Sequence, residues 1–123
     1  MKIAMPVKTA KTEAAISPLF GHAKYFAFVQ DGKIEIKQNP HDGGTAVVEW
    51  LLDEGVDVVI TQHIGLRPFV LLAQNDVRCY YPGEGRITIQ EAIKCFEAKQ
   101  CEEITENNIE KFARHSHKHH HAH

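Results

Sequence analysis

The chain has no apolar run approaching the ~20 residues needed to cross a bilayer, although 43% of its 123 residues are hydrophobic. Its first residues, Met1-Lys2-Ile3-Ala4-Met5-Pro6, lack the long apolar core of a secretory signal, so a cytoplasmic protein without membrane association is expected. Cysteine is scarce. Cys79, Cys95 and Cys101 form an odd set with no Cys-x-x-Cys pair, which argues against a disulfide framework or a zinc ribbon and for reduced thiols. On a helix running from Thr88 to about Glu102, Cys95 and Cys101 would sit about 1.7 turns apart, facing different sides.

Basic charge is also in short supply. The net charge is -2, and Lys111, Arg114 and Lys118 stand in a tail without acids, so the body is more acidic than that figure. A general nucleic-acid binder gains affinity by neutralising phosphates with Lys and Arg, and this body is poorly equipped for it. Catalytic apparatus is missing as well. The segment from Lys2 to Lys8 contains no carboxylate with which a two-metal phosphoryl-transfer site could begin, and Asp57 alone opens the next buried run. No Walker loop, Gly-x-Gly-x-x-Gly or ordered Ser-His-Asp set occurs, so a non-enzymatic protein is expected.

What remains is a well-punctuated series of short elements. Ile3 to Val7, Tyr25 to Gln30 and Lys33 to Lys37 read as strands. Asp31-Gly32 joins the last two as a tight antiparallel hairpin. Gly43-Gly44-Thr45 opens a helix with Thr45 as its expected N-cap, and Gly55 closes it. Val56 to Thr61 is nearly continuous β-branched sequence, as a central strand covered on both faces requires. Leu66 to Gln74 is the next helix, with Pro68 tolerated in its first turn. Val77 to Tyr81 is a further strand, and Thr88 with Glu91 three residues later forms a capping box ahead of the last long helix. Together these predict an α/β fold with a five-stranded mixed sheet and helices packed on it. Residues 1–106 form one domain, followed in 107–123 by a short helix or extended segment around Ile109 and Phe112 and a His-rich tail.

Ligands of open α/β sheets gather beyond the carboxyl ends of parallel strands, which directs attention to the loops after Val7 and Thr61. The first carries Lys8 and Lys11 and runs into Ser17-Pro18-Leu19-Phe20-Gly21-His22. The second, Gln62-His63-Ile64-Gly65, opens a helix whose N-H groups and dipole favour an anion, with Arg67 close behind. His63, His41 and His22 are the candidate imidazole ligands, because imidazole binds iron, copper, nickel and zinc where thiolates are absent. Lys8, Lys11 and Arg67 are the candidate charge partners, and Gly65 supplies the helix entry.

The tail is the other metal-binding signal. His115, His117, His119, His120, His121 and His123 lie within nine residues, interrupted by Ser116, Lys118 and Ala122 rather than running unbroken like a purification tag. Such a cluster favours nickel, copper or zinc and would buffer or deliver the ion.

Taken in order, Ile16 to Phe26, Asn39-Pro40-His41-Asp42-Gly43-Gly44, Gly55 to Gly65, Val77 to Tyr81 and Thr88 to Ile93 resemble the dinitrogenase iron-molybdenum cofactor biosynthesis family, which includes NifX- and NafY-type carriers. The resemblance spans roughly the first hundred residues. It implies a ribonuclease H-like sheet, an anionic iron-sulfur or iron-molybdenum type cluster as cargo, and donor and recipient proteins as partners. Relatives commonly read His-Phe-Gly-Arg where this chain has Leu19-Phe20-Gly21-His22, which displaces the histidine by three positions. Three functions follow as expectations: a cluster carrier, a metal-ion buffer or chaperone acting through the tail, and a ribonuclease H-like hydrolase.

Overall fold

The computed structural model describes residues 1–113; the His-rich tail lies outside them. Six strands form one open mixed sheet: β1 (Ile3–Val7), β2 (Tyr25–Gln30), β3 (Lys33–Gln38), β4 (Val58–Ile60), β5 (Arg78–Tyr81) and β6 (Glu102–Ile104), in the spatial order β3-β2-β1-β4-β5-β6. The strands β1, β4 and β5 are parallel, whereas β2, β3 and β6 run against their neighbours. The hairpin turn is where the sequence puts it: Asp31 (φ 53°) and Gly32 (φ 78°) both take the left-handed conformation that a two-residue turn demands.

Helices cover both faces. Phe26, Phe28 and Val59 point to the side packed by α1 (Gly44–Asp53), α2 (Leu66–Gln74) and α4 (Ile109–Ala113). Met5, Val7, Ala27 and Ile60 point to the other, where Ile89 and Ala92 of α3 (Ile89–Glu97) close the core. The alternation along β1 and β2 therefore serves two cores at once, which explains why those strands read as continuous apolar runs.

Three expectations are corrected here. The sheet has six strands rather than five, because α3 stops at Glu97 instead of running to Glu102, and the chain returns as β6 beside β5. The stop is a Schellman motif: Lys99 takes φ 59°, its N-H reaches the carbonyl of Phe96 (3.0 Å), and Gln100 N-H reaches that of Cys95 (2.9 Å). The reversal folds Cys101 back onto Cys95, with the sulfurs 3.0 Å apart, so these thiols meet instead of facing different sides. The N-cap of α1 is also Gly43, at φ 97°, rather than Thr45, and no side chain caps that end.

The capping box of α3 is present as expected. Glu91 N-H donates to Thr88 Oγ1 (3.2 Å), and Thr88 N-H donates to Glu91 Oε1 (2.9 Å). Thr88→Ala removes one half of this exchange and should cost about 1 kcal/mol. Thermal unfolding followed by circular dichroism should register a fall in Tm of about 3–5 °C, and Thr88→Ser should restore most of it.

Candidate functional site

Parallel pairing of β1 with β4 sets their carboxyl ends side by side, so the loops that follow them meet. Leu19 and His63 form a parallel bridge, and Phe20 N-H donates to the His63 carbonyl at 3.1 Å. A single 3-10 turn, Phe20–His22, follows at once. Between this turn and the entries of α1 and α2 lies an open hollow of about 190 Å³, lined by Leu19, Gly21, His22, Gly44, His63 and Gly65 among others. Three of its lining residues, Gly21, Gly44 and Gly65, present only backbone. A Cβ at Gly21 would stand 3.0 Å from Gly44 N and 3.2 Å from Gly44 Cα, so only glycine lets the turn lie against the start of α1.

Two helix N-termini open onto this space, and neither is capped by a side chain. Uncapped first-turn N-H groups and the positive ends of the helix dipoles make the hollow attractive to an anion. Larger hollows exist, including one of 490 Å³ beside Tyr80, Phe96 and Cys101 and one of 340 Å³ under Phe69 and Val77. Neither gathers parallel-strand ends, helix entries and imidazoles together, so size is a poor guide here.

His63 is the best-held side chain of the site. The Phe112 carbonyl of α4 accepts from Ile64 N-H (3.2 Å) and contacts His63 Nδ1 at 3.2 Å. A carbonyl only accepts, so Nδ1 is the donor in this contact, and a backbone oxygen orienting one ring nitrogen in this way is common in metal-ligating histidines. Below it, Thr61 Oγ1 donates to the His63 carbonyl (3.1 Å), and buried Gln62 donates to the carbonyls of Gly83 and Gly85, each at 2.9 Å. The loop after β4 is thus fastened from three sides.

The other sequence-derived candidates are spread more widely. His22 is exposed on the 3-10 turn at the rim, and Gly65 lies in the wall. Arg67 is exposed in the first turn of α2. His41 is exposed in the adjoining loop, its ring 6.1 Å from that of Trp50 and its N-H on Asn39 Oδ1 (2.9 Å). Lys8 and Lys11 are exposed on a loop that turns back through Lys8 N-H to Ala15 O (3.0 Å). None of these last four lines the hollow. The tail histidines lie outside the described residues. Among the described residues, no three His, Cys, Asp or Glu side chains cluster to hold a metal ion, and no helix is long and apolar enough to span a membrane.

Sequence reasoning missed two contributors. One is the Phe112 carbonyl, a backbone group that no residue pattern reveals. The other is Gln62, whose polarity inside an apolar run was the available signal: a buried amide must be bonded, and this one ties two loops together. Asp57, the acid beside the buried strand, is at the strand's amino end, where it accepts from Lys2 N-H at 2.8 Å.

Solved structures share this architecture. A Thermotoga protein described as a NifB candidate is 29% identical with a TM-score of 0.71, covering 83% of this chain and 91% of its own. The apo form of the orange protein from Desulfovibrio gigas is 21% identical with a TM-score of 0.76, covering 85% and 92%. A dinitrogenase candidate from Methanocaldococcus jannaschii is 20% identical with a TM-score of 0.65, covering 85% and 95%. The latter two likenesses are of fold alone. No curated protein matches the chain significantly. The family model described as dinitrogenase iron-molybdenum cofactor matches residues 1–99, which takes in every strand of the sheet but β6, both meeting loops and the hollow between them; the chain belongs to the dinitrogenase iron-molybdenum cofactor family.

Proposed function

We propose that this protein is a non-enzymatic carrier that holds an anionic iron-sulfur or iron-molybdenum type cluster in the hollow between the two loops and passes it on by ligand exchange between donor and recipient proteins. The observation that carries this reading is the Leu19–His63 bridge. It joins the loops after two parallel strands and sets an imidazole directly beside the position where relatives commonly carry one and this chain has leucine. His63 is the principal ligand, His22 on the rim is the second, and His41, exposed in the adjoining loop outside the hollow, is the third candidate. Uncapped N-H groups of α1 and α2, with Gly65 at the entry, offset the cluster's negative charge, and the exposed cations Arg67, Lys8 and Lys11 outside the hollow act as charge partners at longer range. With few side-chain ligands, the cargo is held loosely enough to leave, as transfer requires.

A second reading is favoured by one contact. The Phe112 carbonyl sits on His63 and Ile64, so the last described residues lie beside the hollow. The tail's imidazoles then bind nickel, copper or zinc, and the folded body serves as the docking platform.

Anaerobic reconstitution with iron, sulfide and molybdate distinguishes these readings. Protein ending at Ala113 should take up cluster as the full chain does. His63→Asn, which keeps a donor for the Phe112 carbonyl but removes the imidazole, should lower cluster affinity about tenfold or more. Leu19→His, restoring the family's usual residue, should raise it. Uptake by His63→Asn equal to that of the wild type would overturn the first reading, and uptake vanishing with the tail would replace it with the second.

A further inference from the structure

Away from the hollow, two nucleophilic side chains are in contact where α3 gives way to β6. Cys95 and Cys101 are free thiols with sulfurs 3.0 Å apart, Cys101 donating to Cys95. The contact follows from backbone structure. The Schellman motif at Lys99 reverses the chain within five residues, and β6 is then held by pairing with β5 at Cys79–Ile104, Tyr80–Glu103 and Tyr81–Glu102. Cys101 is fixed immediately before that paired segment, and Cys95 is fixed in the helix. Both thiols are only partly covered, so a small molecule can reach them. Cys79 is in a different position: it is 1% exposed inside the core.

We propose that Cys95 and Cys101 form a dithiol modification site that closes to an intramolecular disulfide by exchange with a low-molecular-weight disulfide. A disulfide bond is about 2.05 Å long, so the sulfurs need to approach by only about 1 Å. Cys101 donates its S-H to Cys95 Sγ, so Cys95 is the sulfur left to attack first; burial and that hydrogen bond raise the Cys101 thiol above its ordinary value. Cys95 Sγ gives its proton to solvent and bonds to one sulfur of the oxidant, whose S-S bond breaks to release one thiol. Cys101 Sγ, losing its proton in turn, attacks the Cys95 sulfur of the mixed disulfide and expels the second thiol. Two protein thiols lose two electrons, and one external disulfide becomes two thiols. The product bolts the end of α3 to the edge strand β6.

The full-length reduced protein is incubated anaerobically with oxidised glutathione, unfolded, alkylated with N-ethylmaleimide and analysed by intact mass and peptide mapping. The expected product carries a Cys95–Cys101 bond and one alkyl group, on Cys79. Cys79→Ser should form the same bond with no alkyl group. Cys101→Ser should stop at a glutathione adduct on Cys95. Retained glutathione in the wild type, covalent dimers, or alkylation of all three cysteines would each overturn the proposal. These outcomes are independent of cluster uptake and of the tail.

Discussion

Truncating Phe26 to alanine is expected to remove about 3–5 kcal/mol of folding stability, a large share of the roughly 5–15 kcal/mol that holds a domain of this kind together. The ring is fully buried in β2 at the junction of three elements. It meets Phe20 edge-on at 5.6 Å and Trp50 edge-on at 5.8 Å. Phe20 belongs to the 3-10 turn that borders the hollow, and Trp50 belongs to α1, whose first turn forms the opposite wall. Loss of the ring therefore leaves a cavity under both sides of the site. Urea unfolding should show the midpoint falling with the m-value unchanged. Below the transition, cluster uptake should fall further than the remaining folded fraction accounts for. Phe26→Leu, which refills most of the volume, should recover the larger part of both.

The Phe26 argument also shows what the sequence could and could not reveal. Phe20, Gly21 and Phe26 stand out because a buried aromatic pair around a glycine is a local pattern, and the structure gives each a contact that explains it. The hairpin at Asp31-Gly32 and the capping box at Thr88 are legible for the same reason, since every atom involved lies within a few residues. Helix ends are less so. All three long helices close with the same pair of Schellman hydrogen bonds, to Leu52 and Leu51, Ala73 and Leu72, and Phe96 and Cys95. Gly55 announces the first, whereas Asp76 at φ 63° and Lys99 at φ 59° perform the turn without a glycine to mark it. Missing the turn at Lys99 hides β6, whose Glu102 and Glu103 are exposed and whose Ile104 alone enters the core. An edge strand with one apolar residue has no periodicity to read. Hiding β6 in turn separates Cys95 from Cys101. The hollow was legible to the level of its loops, because strand order follows from crossover rules. Which side chains face into it was not, since that depends on the bridge between Leu19 and His63 and on the Phe112 carbonyl.

Gly44→Val should abolish most cluster uptake while costing about 1–3 kcal/mol of stability. A Cβ at Gly44 would lie 2.7 Å from Cγ and 3.2 Å from Cβ of Pro68, and a proline ring cannot rotate out of the way. The first turns of α1 and α2 must separate to admit it, so the two sets of N-H groups no longer aim at one volume. Backbone strain is not the cause, because Gly44 sits in ordinary helical geometry rather than among the positive-φ glycines. The control follows from that distinction. Gly55, at φ 79° with no atom within 4 Å of an added Cβ, lies at the far end of α1. Gly55→Ala should lose about 1–2 kcal/mol through the left-handed backbone alone and leave uptake intact. Similar losses of stability with opposite effects on uptake would locate the cargo between the helix entries. Equal retention of cluster by both variants would place it elsewhere on the molecule.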